Sequence, residues 1–227
     1  MRQCVVRHVG NFPTVVSDQR EVKKFLVGLV SLVGVSSLVA CGDDVTTTGE
    51  YMGFRRDDPL QVGNLTMTRA FEDGAESPFT FRADDGKLLV VYFGFTNCPD
   101  LCPTTLADLR SAFRRLPGSD ERVDVAMVTV DPQRDVPEKL VPYLKSFVAD
   151  PIALRTEDES ILEKVEDGFL ASSTITTEAN GRVNVSHTAG TYVVDSTGEV
   201  VLEWPFGIGA DGMENDLRLL LEDLDPA

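Results

Sequence analysis

Residues 88–103 read LLVVYFGFTNCPDLCP, and this stretch decides the fold. Leu88–Phe95 is an unbroken apolar run of the kind found in strands buried on both faces of a sheet. Two prolines follow, each directly after a cysteine. Proline disfavours the α region in the residue before it, so Pro99 holds Cys98 on a loop. Pro103 is comfortable as a first helical residue, which places Cys102 at the N-cap of a helix over Thr104–Leu116. In that helix Leu106, Leu109, Ala112 and Phe113 recur at helical spacing, and Pro117-Gly118 stops it. Backbone N–H groups and the helix dipole at such a turn favour a thiolate over a thiol. Two sulfur ligands at the end of a strand-loop-helix suit either a metal or reversible disulfide formation. A purely structural disulfide gains little, because closing so short a loop removes little unfolded-state entropy.

Working outward, Val62–Phe71 and Phe79–Arg82 form an N-terminal β-hairpin extension, and Val123–Val130 is the next core strand. Val136–Phe147 is a helix with Pro137 in its first turn. Ile152–Leu154 is a short strand, and Glu157–Phe169 a helix with Ile161, Leu162 and Val165 inward. Thr191–Asp195 and Glu199–Trp204 are joined by Ser196-Thr197-Gly198 as an antiparallel hairpin. Asp211–Leu224 closes the chain as an amphipathic helix. The order β-α-β-α-(α)-β-β-α is that of an α/β, thioredoxin-like fold over residues 60–227.

The segment ahead of this domain is of a different kind. Phe25–Ala40 is a 16-residue uncharged run behind Lys23 and Lys24. Basic flank, apolar stretch and small residues are the layout of a secretory signal. The run falls short of the ~20 residues that span a bilayer comfortably. It ends in Leu38-Val39-Ala40-Cys41, similar to a bacterial lipobox, so residues 1–40 are expected to be a leader and Cys41 a lipid attachment point. An uncleaved N-terminal anchor is the other reading, and both put the domain on the extracytoplasmic face of the cell membrane. Residues 1–21 fit neither signal nor domain, and a start at Val22 gives a more ordinary leader, which removes Cys4 and His8 from the working protein. Residues 41–59 are polar and without apolar periodicity, and read as a flexible tether.

Composition narrows the partners. The 227 residues carry 21 Lys+Arg against 37 Asp+Glu, a net charge of -16. So acidic a chain repels phosphate backbones, which excludes nucleic acid. Hydrophobic residues at 42% supply a real core and argue against wholesale disorder.

Beyond Cys41 the chemistry-bearing inventory is Cys98, Cys102 and His187. His187 stands in VNVSHTAGTYVVD (residues 183–195), just before a core strand. In a thioredoxin-like layout the loop before that strand faces the cysteine loop. Thioredoxins put a cis-proline there, whereas this chain has no proline between Pro151 and Pro205. A third ligand is a fitting occupant. Two thiolates and an imidazole form a soft, low-coordinate set suited to copper. Zinc with an Asp as fourth ligand stays open.

Three motifs taken together, YFGFTNCPDLCPTT (92–105), VDPQRD (130–135) and VSH (185–187) ahead of YVVD (192–195), resemble the Sco/SenC family of copper-handling proteins over about residues 60–224. The resemblance implies a membrane-tethered metallochaperone that helps assemble the dinuclear copper centre of cytochrome c oxidase. Its partners would be the copper-centre subunit of the oxidase and an unidentified copper donor. Cys98, Cys102 and His187 match the family's copper ligands, for Cu(I), Cu(II) or both. Asp131 matches an acidic position near the metal loop. Asn97 stands where several members carry His. The rival function is a thiol-disulfide reductase that keeps the oxidase's cysteines reduced, which needs Cys98 and Cys102 but not His187. A peroxidase of the same fold would want a single low-pKa Cys among Thr and Arg.

Overall fold

The computed structural model describes residues 49–225. The leader, Cys41 and the first part of the expected tether lie outside the described residues. Fourteen elements follow one another: β1 (Thr66–Ala70), β2 (Glu76–Thr80), β3 (Leu88–Gly94), α1 (Leu101–Arg115), α2 (Ser119–Arg122), β4 (Val123–Thr129), α3 (Pro137–Lys145), β5 (Ile152–Leu154), α4 (Glu159–Gly168), β6 (Ser173–Thr177), β7 (Val183–His187), β8 (Thr191–Val194), β9 (Val200–Trp204) and α5 (Gly209–Leu224). Seven strands form one sheet in the order β2-β1-β5-β4-β3-β8-β9, and β6-β7 stand apart as a two-stranded ribbon.

Every residue of β3 is buried, as its unbroken apolar run requires. Successive strand residues point to opposite faces, so this one strand feeds two cores. Leu88 and Val90 pack with Leu109 and Phe113 of α1 and Met213 and Leu217 of α5. Leu89, Val91 and Phe93 pack with Leu140 and Leu144 of α3 and with Val165 and Phe169. Helices thus cover both faces.

Strand direction places the site. β3 and β4 are parallel, in register from Leu88↔Val123 to Gly94↔Thr129. Their carboxyl ends therefore launch the cysteine loop and the Val130–Val136 loop side by side, the end at which open α/β sheets bind ligands. β8 runs antiparallel to β3, with Thr191 opposite Tyr92. Its start, and the chain just ahead of it, therefore lies at that same end.

Three sequence expectations are corrected. The N-terminal hairpin is present, but its second strand is Glu76–Thr80, and β1 also pairs with β5, so the hairpin is an edge of the main sheet. Helix α1 begins at Leu101, so Cys102 lies in the first turn and not at the N-cap. The Thr104 N–H closes that turn on the Asp100 carbonyl. Pro103 costs nothing there, because the first helical N–H groups have no intrahelical acceptor. The tether reading of residues 41–59 fails over its described part. Asp216, completely buried on α5, accepts hydrogen bonds from the Met52 and Gly53 N–H groups at 2.8 Å and from Trp204 Nε1 at 2.9 Å. Phe54 bridges to Glu203, Arg56 pairs with the Glu203 carboxylate, and the Tyr51 hydroxyl donates to Asp223. The segment is a latch on α5 and β9, because a buried carboxylate must find donors and this one takes them from the chain's own N-terminal stretch.

Candidate metal centre

Cys98, Cys102 and His187 converge, with their ligand atoms all within 4.8 Å of one another. Among the described residues no other group of three or more His, Cys, Asp or Glu side chains does so. Both cysteines are free thiols. Cys102 is inaccessible and Cys98 8% exposed, and the Cys102 N–H points at Cys98 Sγ at 3.3 Å.

His187 ends strand β7, not a loop as expected, and pairs in register with Ser173 of β6. Its Nδ1 lies 2.8 Å from the Thr188 carbonyl. A carbonyl only accepts, so Nδ1 carries the proton and Nε2 keeps its lone pair, the second-sphere arrangement usual for a metal-ligating histidine. That Nε2 faces Cys102 Sγ at 3.8 Å. The rings of Phe95 and Tyr92 stand edge-on to the imidazole at 5.8 and 6.2 Å between centroids, which fixes its plane. A surface cleft lined by Phe95, Cys98, Pro99, Val185 and His187 opens the site to a partner.

Burial overrides the helix-end effect at Cys102. Desolvation, and the neighbouring Cys98 thiol after it, push this thiol up to about 12. The reason is that the sulfur sits behind the first turn, where the low dielectric penalises charge more than the dipole rewards it. In the metal-free protein Cys102 is a thiol, and a metal must displace its proton to bind.

Sequence reasoning missed three further residues. Gly94 is one. A Cβ there would lie 2.6 Å from Tyr92 Cε1 and 3.1 Å from Cys102 Sγ, so only glycine lets the sulfur sit against the end of β3. Tyr92 is another, its hydroxyl buried beside Cys102 without a hydrogen bond of its own and held protonated chiefly by desolvation. The third is Asp135. It is fully buried and accepts from the Thr96 N–H, the Thr96 hydroxyl and the Thr129 hydroxyl. Asp131 is also buried, but its carboxylate is taken by Arg134 at 2.5 Å. Its part is to accept the Asp135 N–H with its backbone carbonyl. The carboxylate that reaches the cysteine loop is thus Asp135, four residues on. The hairpin carrying His187 had a legible signal in Asn180-Gly181, flanked by alternating Thr, Ile and Val.

The fold and the convergent set define a thioredoxin-like domain with a two-thiol, one-imidazole metal centre at the carboxyl ends of its parallel strands. The SCO1/SenC family model matches residues 63–222, and the chain belongs to that family. It is 34% identical to a SCO2-like protein of Rickettsia felis over 80% of this chain and 88% of that one. The solved apo Sco1 protein of Thermus thermophilus is 32% identical, with a TM-score of 0.64, over 76% of this chain and 98% of that one. Nearly the whole of that solved chain is thus matched by this domain. The structure of Bradyrhizobium japonicum ScoI with copper bound is 25% identical, with a TM-score of 0.58, over 68% of this chain and 96% of that one. The donor set passes the same test from its own chemistry. Two sulfurs and one imidazole nitrogen, with no carboxylate among the converging atoms, fit copper better than a four-ligand zinc site.

Proposed function

We propose that this protein is an extracytoplasmic copper metallochaperone, attached through lipid at Cys41, that delivers copper to the dinuclear centre of cytochrome c oxidase. The observation that carries the reading is the convergence of Cys98, Cys102 and the Nε2 side of His187. Copper is the cargo, held by these three residues and reached through the cleft beside Cys98 and His187. The partly exposed His187 and the nearly buried Cys98 are the ligands a receiving protein meets first. Cys102, sealed beneath them, is the last to let go. Cu(I) requires both thiols reduced, so loading is linked to the redox state of the pair.

The lipid anchor rests on the leader alone, and the oxidase as recipient rests on the family. The test is copper stoichiometry and affinity of residues 42–227, reduced and anaerobic, beside Cys98→Ser and His187→Ala. One tightly held copper per chain is expected, lost in Cys98→Ser and sharply weakened in His187→Ala. Binding indifferent to His187 would remove the three-ligand site and leave the thiol-disulfide reductase reading in its place. Labelling with radioactive glycerol or palmitate, abolished by Cys41→Ala, tests the anchor.

A further inference from the structure

Behind the ribbon that carries His187 lies a second cleft, of about 270 Å³, walled by α4, β6 and the loop after β4. Glu157, Glu159, Glu163 and Glu166 line it, with Val130, Leu162 and Ile175 between them. Glu157 is taken by Arg155. Among the described residues Glu159, Glu163 and Glu166 have no cationic partner. Glu166 is the anomaly, being only 7% exposed with its Oε1 buried and lacking any hydrogen-bond donor. A buried carboxylate oxygen without a donor is costly, and the cleft it lines is where a donor can enter.

A divalent cation is a poor occupant, because these carboxylates do not converge as the thiols and imidazole do. The space suits a side chain, with apolar walls for its stem and acids for its head. A guanidinium fits better than an ammonium. It is more weakly hydrated, so it follows a carboxylate into a buried site at lower cost, and its fork can serve Glu166 and a rim glutamate together.

We propose that this cleft is a docking socket for an arginine side chain of a partner protein. Ser173 lines the cleft and pairs in register with His187 across the ribbon. An arginine seated there braces β6, the strand paired with the one that presents the imidazole. The socket stands on the cleft and its glutamates, and its test involves no copper.

The test is a nuclear magnetic resonance titration of residues 42–227 with N-acetyl-arginine amide, beside its neutral isostere N-acetyl-citrulline amide and calcium chloride. Saturable shifts are expected at the amides of Glu166, Ser173 and Ile175 with the arginine probe and not with citrulline. Glu166→Gln should weaken them about tenfold, since a hydrogen bond to a charged group is lost. The rim change Glu163→Gln, which leaves the interior untouched, should weaken them about two- to threefold. Shifts spread over the acidic surface, or unchanged in both variants, would overturn the socket. So would calcium binding there at lower concentration than arginine.

Discussion

Replacing Gly94 with alanine probes the packing that holds the deepest thiol in place. The new Cβ meets Tyr92 Cε1 at 2.6 Å, Cys102 Sγ at 3.1 Å and Met127 Cε at 3.3 Å. Carbon atoms in good contact sit ~3.5–4.0 Å apart, so the tyrosine edge must retreat by roughly 1 Å. The methionine methyl can give way, because its side chain is flexible. Tyr92 cannot do so freely, being buried and edge-on to the His187 ring. Overpacking of this kind costs ~1–3 kcal/mol, offset by ~0.5–1 kcal/mol because alanine is the better strand residue. The net loss is about 0.5–2 kcal/mol, or roughly 1–8 °C in Tm for a domain of this size. Copper affinity should fall about 10–100-fold, as for other residues that position ligands without binding the metal. The assay pairs calorimetry of the reduced, metal-free domain with Cu(I) competition against a chelator. Gly190→Ala is the control, since a Cβ there comes no closer than 3.6 Å to its nearest neighbour, Tyr192 Oη. If Gly94→Ala matched Gly190→Ala in both Tm and copper affinity, the packing argument would be refuted.

Four further outcomes are expected. Asp135→Ala strips the acceptor from Thr96 and Thr129 and should cost about 2–3 kcal/mol in urea denaturation, with weaker copper binding. Asp131→Ala should affect copper less, because its carboxylate serves Arg134. The Cys102 thiol is raised from 9.0 to about 12, so its contribution to stability is fully present below pH 9 and is lost as pH rises towards 12. Between pH 9 and 10, where the unfolded thiol ionises and the buried one does not, the metal-free protein should lose about 1 kcal/mol, and Cys102→Ala should flatten that loss. Asp216→Ala should release residues 50–54, seen as faster hydrogen exchange and proteolysis there, while copper affinity stays unchanged. A cut site that does not appear would mean that Phe54 and Arg56 hold the latch alone.

What was legible in the chain follows the range of the interactions. Leu88–Phe95 reads as a buried strand because its own residues carry the signal, and the Cys-Pro pairs announce a turn locally. Topology puts His187 at the right end of the sheet, but its strand is hard to read, since β6 carries a single apolar residue and β7 two, none of them fully buried, and only the Asn180-Gly181 turn between them marks the hairpin. Gly94 was silent because its reason is a sulfur in the next helix. The latch was silent too, since a polar stretch looks like a tether until Asp216, more than 160 residues away, offers its carboxylate. The charge state of Cys102 was misread because a helix end is visible in sequence and the depth of a side chain is not.

The latch also sets a length. With Cys41 as the proposed attachment point and Gly49 already packed against Leu219, only eight residue steps separate lipid from domain. At ~3.3–3.6 Å each they reach no farther than about 29 Å. A domain on so short a leash does not search the space outside the cell. Under that attachment it would patrol a thin layer above the bilayer, where a membrane-embedded recipient would be met by lateral diffusion at high effective concentration. Cutting the latch would lengthen the leash by several residues and thin that concentration without touching a single copper ligand.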